Sequence, residues 1–330
     1  MSAEDAPYGL AGLANIGNTC YANSVIQALR MIPSWTALID RADLQLNDGP
    51  HQKVFLAYQD IARTLWTKSA VKGAICRPMA FWKELREAVV GTVYDNFRSN
   101  QPQDSHEFLV YLLDQCHEAL KTSLSPDASP LDRSLHAQLG GWTSPVVDCL
   151  FGWDRLTCEC TGCGTQSIRY EPFNMLKVGL DSSIEGPVDL AAADRTEEEI
   201  DDYVCETCAP VRTKAILRRE LWHLPKTFFY VLRRFTADGR KDSAGFHYDG
   251  APTSFGRLFA EEAAASDGAT TSYKPIATID HMGSLHGGHY LAQAYHPVLK
   301  EWYVFDDERG EKISEPRFTV MTYIIVMSSE

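Results

Sequence analysis

Two cysteine knuckles constrain this chain more than any other feature: Cys160-Thr161-Gly162-Cys163 and Cys205-Glu206-Thr207-Cys208, with 41 residues between them. Four thiolates in this spacing are enough to close a tetrahedral structural zinc site with no position open for chemistry. The intervening chain must therefore leave one knuckle and return to the other. The gap is wider than in a small zinc ribbon and suits two β-hairpins meeting at a common tip. Cys158 offers an alternative to Cys160 as a ligand, although the CxxC spacing favours Cys160.

The remaining cysteines, Cys20, Cys76, Cys116 and Cys149, are scattered. An odd total of nine, behind an acidic N-terminus MSAEDAPYGL without an apolar h-region, argues against a disulfide framework and a secretory signal. A reducing compartment, cytoplasmic or nuclear, is expected. No run of eighteen apolar residues suggests a membrane span. The formal charge of −13 disfavours non-specific nucleic-acid binding and favours a basic partner.

Apolar spacing predicts helices first and strands later. Val25, Ile26, Leu29 and Ile32 define a helix from Cys20, stopped by Pro33, and Leu109, Leu112, Leu113, Cys116 and Leu120 define another over Gln103 to Leu120. Asp104 with Glu107 offers this second helix a capping box. Weaker helical patterns cover His51 to Trp66 and Pro78 to Val90, and a polar loop is expected from Lys121 to Gly141. Strand patterns follow at Leu150 to Cys158, Ser167 to Leu180, Phe228 to Phe235, Tyr273 to Asp280, His289 to Tyr295, Trp302 to Phe305 and Thr322 to Met327. The acidic run Asp194 to Asp202 reads as a solvated helix or loop, and Thr236 to Phe255 as a mobile loop. The order is that of an α+β protein.

Cys20 stands where the Gly/Asn-rich approach Asn15-Ile16-Gly17-Asn18-Thr19 gives way to a helix. A thiol there feels the positive end of the helix dipole and unpaired N–H groups, which favour thiolate. The same N–H groups can stabilise an oxyanion, and the Asn15 amide can add a donor. An ordinary buried cysteine is the simpler reading of this residue alone. A distant partner changes the balance. His289 opens a strand behind Gly287 and Gly288, and the strand Trp302-Tyr303-Val304-Phe305 ends in Asp306 and Asp307. On neighbouring antiparallel strands His289 and Asp306 can pair, fixing the imidazole tautomer.

Together these segments resemble the ubiquitin-specific protease family of deubiquitinases. Asn15-Ile16-Gly17-Asn18-Thr19-Cys20-Tyr21-Ala22-Asn23-Ser24 with Gln27 resembles its Cys box. Pro102-Gln103-Asp104-Ser105-His106-Glu107-Phe108 resembles its Gln-Gln-Asp-x-x-Glu-Phe helix start, and Gly288-His289-Tyr290 with Trp302 to Asp307 its His box. The matches run in the family's order from about residue 9 to residue 327. Pro102 departs from the family by replacing the first Gln, beside the channel for the substrate tail.

The resemblance implies a papain-like cysteine protease fold in a single catalytic domain: a helical thumb over about 9–145, zinc-bearing β-ribbon fingers over about 146–235 and a β-sheet palm over about 236–330. It implies Cys20 as nucleophile, His289 as base, Asp306 as its orienting carboxylate with Asp307 auxiliary, and Asn15 in the oxyanion hole. Asp104, Gln103 and His286 are expected at the substrate tail, Asp104 pairing with a tail arginine. The loops at Thr236 to Phe255 and His281 to Gly288 are expected to flank that channel and move on binding. Zinc on Cys160, Cys163, Cys205 and Cys208 is the one cofactor implied, structural and outside the chemistry. The implied partners are ubiquitin and ubiquitinated proteins, met by a monomer without appended domains. A protease for a related modifier and a non-catalytic ubiquitin-binding scaffold are the alternatives.

Overall fold

A computed structural model describes residues 8–180 and 197–329, apart from 236–239, 243, 245–247, 249, 256–257, 265–271 and 285–286. The first part is helical. Strand β1 (Gly12–Leu13) leads into α1 (Cys20–Leu29), followed by α2 (Pro33–Asp40), α3 (Pro50–Thr64), β2 (Ile75–Cys76), α4 (Met79–Ala88) and α5 (Ser105–Leu120). Pro33 opens α2 in its first turn, where its missing N–H would have had no helical partner. All ten residues of α1 are buried, polar Asn23, Ser24 and Gln27 included. The Asp104 side chain caps α5 by accepting the Glu107 N–H at 2.9 Å. The Glu107 carboxylate turns instead to Asn96 Nδ2 at 3.3 Å, so only half of the expected capping box forms.

The stretch Lys121 to Gly141 is more ordered than its polarity suggests. Strand β3 (Thr122–Ser123) pairs with β4 (Trp142–Thr143) and encloses α6 (Pro130–His136), and α7 (Pro145–Leu150) follows. Helix α6 is set by a complete capping box between Ser129 and Asp132, with Pro130 in its first turn.

Beyond it the chain becomes β: β5 (Gly152–Cys160), β6 (Gln166–Phe173), β7 (Met175–Val178), β8 (Glu197–Tyr203) and β9 (Thr213–His223). Four of these form an antiparallel ribbon in the order β6-β5-β9-β8. The acidic run read as a solvated helix or loop is therefore, over its described residues, the edge strand β8. Its carboxylates lie against basic residues of β9, with Asp201 3.2 Å from Lys214 and Glu197 3.5 Å from Arg218. Opposite charges across a strand pair offset a composition that is poor for strands.

The last third supplies β10 (Thr227–Leu232), β11 (Thr253–Ser254), α8 (Glu261–Ala264), β12 (Ser272–Ser284), β13 (Gly287–His296), β14 (Glu301–Asp306), β15 (Arg309–Ile313) and β16 (Thr322–Ser328). Its main sheet runs β15-β14-β13-β12-β16-β10-β7, antiparallel except for the β10–β7 pair. The expected mobile loop Thr236 to Phe255 contains β11, which pairs with β12. The expected loop His281 to Gly288 is for the most part the paired ends of β12 and β13.

Strand alternation divides the interior in two. Phe229 and Val231 of β10, with Ile324 and Val326 of β16, join the core shared with the helices. Phe228, Tyr230 and Leu232, with Ile325 and Met327, face the other way into a second core with Phe255, Phe259 and Tyr273. Helix α1 packs on α5 on one side and on β12, β13 and β14 on the other. That wedge sets the N-terminus of α1 beside the start of β13.

Candidate active site and four-cysteine cluster

Cys20 is the first residue of α1 and is almost fully buried, at 5% exposure. The preceding turn is held by the Asn15 side chain, whose Oδ1 accepts the N–H groups of Thr19 at 3.0 Å and Gly17 at 3.2 Å. The first-turn N–H groups of Cys20 and Tyr21 are aimed at the thiol, and the Tyr290 N–H reaches it from β13. These donors favour thiolate, as the sequence implies for a helix start. Burial outweighs these donors and, with the nearby Asp307 carboxylate, pushes the Cys20 thiol above its ordinary value.

His289 sits on β13 and donates from Nε2 to Asp306 Oδ1 at the end of β14, at 2.5 Å. This contact links the two residues that the sequence places on neighbouring strands, and it leaves Nδ1 as the nitrogen able to take a proton. Among the described residues no hydrogen bond joins His289 to Cys20. Gly288 is required for the strand to pass: a Cβ there would lie 2.2 Å from the Met282 carbonyl oxygen and 2.3 Å from His281 Nε2.

Asp307 serves a different partner from Asp306. Its φ of +47° turns the carboxylate away from the strand line. Its Oδ2 accepts Asn15 Nδ2–H and its Oδ1 accepts Asn23 Nδ2–H, both at 2.8 Å. The Asn15 amide is thus fixed at both ends, with a second N–H left to donate. Asn23 fell within the Cys-box resemblance but was assigned no role, because a buried asparagine inside a helix reads as a packing residue until its partner is known.

A cleft of about 220 Å³ opens over Cys20, between the start of α5 and the Gly287–Gly288 edge of β13. Asp104 lines it, accepting Tyr323 Oη–H at 3.0 Å and Tyr290 Oη–H at 3.5 Å. Gln103 also lines it, tied by its side chain to Asn96 and Ser99. His281 and Phe235 close its far end, with ring centroids 5.5 Å apart. Tyr323 went unnoticed in the sequence, since it occupies a strand position that burial alone would explain; Tyr290 was part of the His-box resemblance and His281 of a loop expected to flank the channel, neither with a role of its own. His286 lies outside the described residues.

The four knuckle cysteines converge at the tip of the ribbon. Cys160 Sγ lies 3.9 Å from Cys208 Sγ and Cys163 Sγ 3.6 Å from Cys205 Sγ, and all four sulfurs lie within 4.8 Å of one another. A tetrahedral Zn–S distance of about 2.3 Å requires sulfurs about 3.8 Å apart, so the cluster fits a metal ion of that size. The Thr213 hydroxyl and neighbouring backbone N–H groups lower the Cys160 thiol to about 6, while the adjoining Cys163 and Cys160 push Cys208 up to about 12. Four thiolates this close need a cation. Cys158 is not among the clustered residues.

A family model described as ubiquitin carboxyl-terminal hydrolase matches residues 11–327. The chain belongs to the ubiquitin carboxyl-terminal hydrolase family. Among curated members, Ubiquitin carboxyl-terminal hydrolase Usp2 of Drosophila melanogaster is 30% identical over 93% of this chain and 33% of its own length. Human Ubiquitin carboxyl-terminal hydrolase 2 is 27% identical over 91% of this chain and 51% of its own. The chain thus spans between a third and about a half of these relatives. In fold, it is similar to a chain of the SAGA DUB module Ubp8/Sgf11/Sus1/Sgf73 bound to ubiquitin aldehyde, with a TM-score of 0.70 at 19% identity. That match covers 99% of this chain and 70% of the other. The same module bound to monoubiquitin gives 0.69 at 18% identity, again over 99% and 70%. The papain-like α+β fold of this hydrolase family, with helical lobe, main sheet and ribbon, is the one expected from the sequence.

Proposed function

We propose that this chain is a thiol isopeptidase acting on ubiquitin conjugates. The observation that carries the reading is the His289–Asp306 hydrogen bond, made by a histidine that stands between Gly288 and Tyr290, two residues of β13 that line the cleft over Cys20. Cys20 loses its proton to His289 Nδ1 and attacks the carbonyl carbon of ubiquitin's C-terminal glycine. The oxyanion takes the Asn15 amide N–H and the free N–H groups at the start of α1. The C–N bond then breaks, and His289 returns the proton to the departing lysine amine, leaving a thioester on Cys20. A water then gives a proton to His289 and attacks the thioester carbonyl, the C–S bond breaks, and His289 returns the proton to the Cys20 sulfur as the ubiquitin carboxylate leaves. Asp306 holds the imidazole tautomer throughout. Asp104, already bound to two tyrosine hydroxyls, takes an arginine of the basic tail as a charge-assisted partner. Zinc on Cys160, Cys163, Cys205 and Cys208 is structural and holds the ribbon tip closed.

The raised thiol and the missing Cys20–His289 bond make the free protein a resting form that substrate completes. A related modifier with a diglycine tail is the second reading, favoured by Pro102 on the cleft wall. Electrophilic probes built on ubiquitin and on each related modifier separate the two. Ubiquitin-probe labelling of the native chain and none of Cys20→Ala is expected. Labelling by another modifier alone overturns the substrate, and labelling by none overturns the enzyme.

A further inference from the structure

The main sheet carries a cavity of about 480 Å³ away from the cleft over Cys20, bounded by the segment 314–321 that crosses from β15 to β16. Its floor is apolar, made by Met282 of β12, Leu291 of β13, Val304 of β14 and Ile313 of β15, all half-buried. Leu291 and Val304 stand two positions along their strands from His289 and Asp306, on the same face of the sheet, so the cavity backs onto that pair. Ser314, Glu315 and Met321 are exposed at its mouth.

One buried acid lines it. Asp280 alternates with Ile279, which packs in the core shared with the helices, and so projects to the cavity side, at 4% exposure. Its Oδ2 accepts Gln293 Nε2–H at 2.7 Å and Thr278 Oγ1–H at 3.1 Å, and the Thr322 hydroxyl also faces the carboxyl. Oδ1 has no hydrogen-bond partner among the described residues. Burial pushes the carboxyl up to about 6 in spite of these donors. The two nearby cations are committed elsewhere. Arg234 donates to the carbonyls of Thr319, Thr322, Asp242 and Ala244, and Lys241 to that of His281.

Gln293, the other buried polar residue of the lining, is committed inside the protein. Its Oε1 accepts the Arg317 N–H at 2.8 Å, and its Nε2 donates to the Arg317 carbonyl at 2.9 Å as well as to Asp280. These bonds tie the bounding segment to the floor. The rim bears one acid and one base, Glu315 and Arg317, and so favours neither sign of charge. A buried acceptor without a donor is costly, more so when it is charged. A molecule filling this cavity therefore gains most from one donor at Asp280 Oδ1 and an apolar body elsewhere. An ammonium serves better than a hydroxyl, because a charge-assisted hydrogen bond is about twice as strong as a neutral one. The volume is that of a pocket for a small organic molecule.

We propose that this cavity binds a small apolar amine, with the ammonium on Asp280 Oδ1 and the hydrocarbon over Leu291, Val304 and Ile313. The site shares no lining residue with the cleft over Cys20, and its occupancy does not depend on the activity proposed above.

The test is a titration of the whole methyl-labelled chain with octylamine, octanol and octanoate, which share one hydrocarbon and differ only in the head group. Saturable shifts at the methyls of Met282, Leu291, Val304 and Ile313 are expected, tightest for octylamine, weaker for octanol and absent for octanoate. Asp280→Asn keeps the side-chain shape and should weaken octylamine about tenfold, bringing it level with octanol. Val304→Trp, a change at a half-buried floor position, fills the cavity and should abolish binding of both, and it decides the matter if Asp280→Asn does not fold. Octanol or octanoate binding as tightly as octylamine, no saturable response at these methyls, or undiminished octylamine binding by Val304→Trp overturns the proposal.

Discussion

Asn15 and Asp307 lie 292 positions apart in sequence and meet through a 2.8 Å hydrogen bond from the Asn15 amide to the Asp307 carboxylate. That bond, with Asn23 holding the other carboxylate oxygen, fixes the Asn15 amide that we propose as an oxyanion donor. In the proposed mechanism the two consecutive aspartates divide the work, Asp306 holding His289 and Asp307 holding Asn15.

Asp307→Ala frees the Asn15 amide and leaves the His289–Asp306 hydrogen bond in place. It is expected to lower kcat about 10- to 100-fold with little change in KM, the signature of a donor that acts in the transition state. Asp306→Ala should also lower kcat, because it removes the partner that orients the His289 imidazole. An Asp307→Ala variant that altered only KM would place Asp307 in substrate binding instead.

Alkylation reports the state of Cys20. The thiol is raised by burial and by Asp307, so it is protonated at neutral pH in the free protein. The rate of iodoacetamide modification of Cys20, followed by mass spectrometry, should rise with pH without levelling off below about pH 9. Asp307→Asn removes one of the two raising influences and should shift the curve to lower pH. A plateau below pH 7 would show a thiolate already formed at rest.

Metal removal tests the ribbon tip. Zinc bound by four thiolates stabilises the fold that brings them together. Chelation should release one zinc per chain, expose the Cys163 and Cys208 thiols to reagent and lower Tm. Cys205→Ser should mimic that loss while Cys158→Ser leaves the metal in place. Unchanged Tm and metal content after Cys205→Ser would remove the cluster from consideration.

Much of this site was legible from sequence because its parts are local signatures: a Gly/Asn turn before Cys20, an acid cap at Asp104, two glycines before His289. Each encodes its own backbone shape. The contacts that complete the site are long-range and leave no local mark. Asn23 and Tyr323 sit in periodic patterns that burial already explains, and only the packing of α1 on the sheet brings them to Asp307 and Asp104. The acidic strand β8 was misread for a related reason. Its strand state comes from Lys214 and Arg218 on the neighbouring β9, which the local composition does not contain.

Complete burial of α1 has a consequence for how such a site can be tuned. A helix enclosed on every side is among the last segments to open and the least able to shift. Cys20 is thus an anchored reference point, and any adjustment of the attack distance has to come from the strand that bears His289. Two β-hairpin arms, more exposed than α1, hold that histidine and its carboxylate. Variation in rate among relatives should accordingly track changes in those arms, while substitutions in α1 should act first on stability.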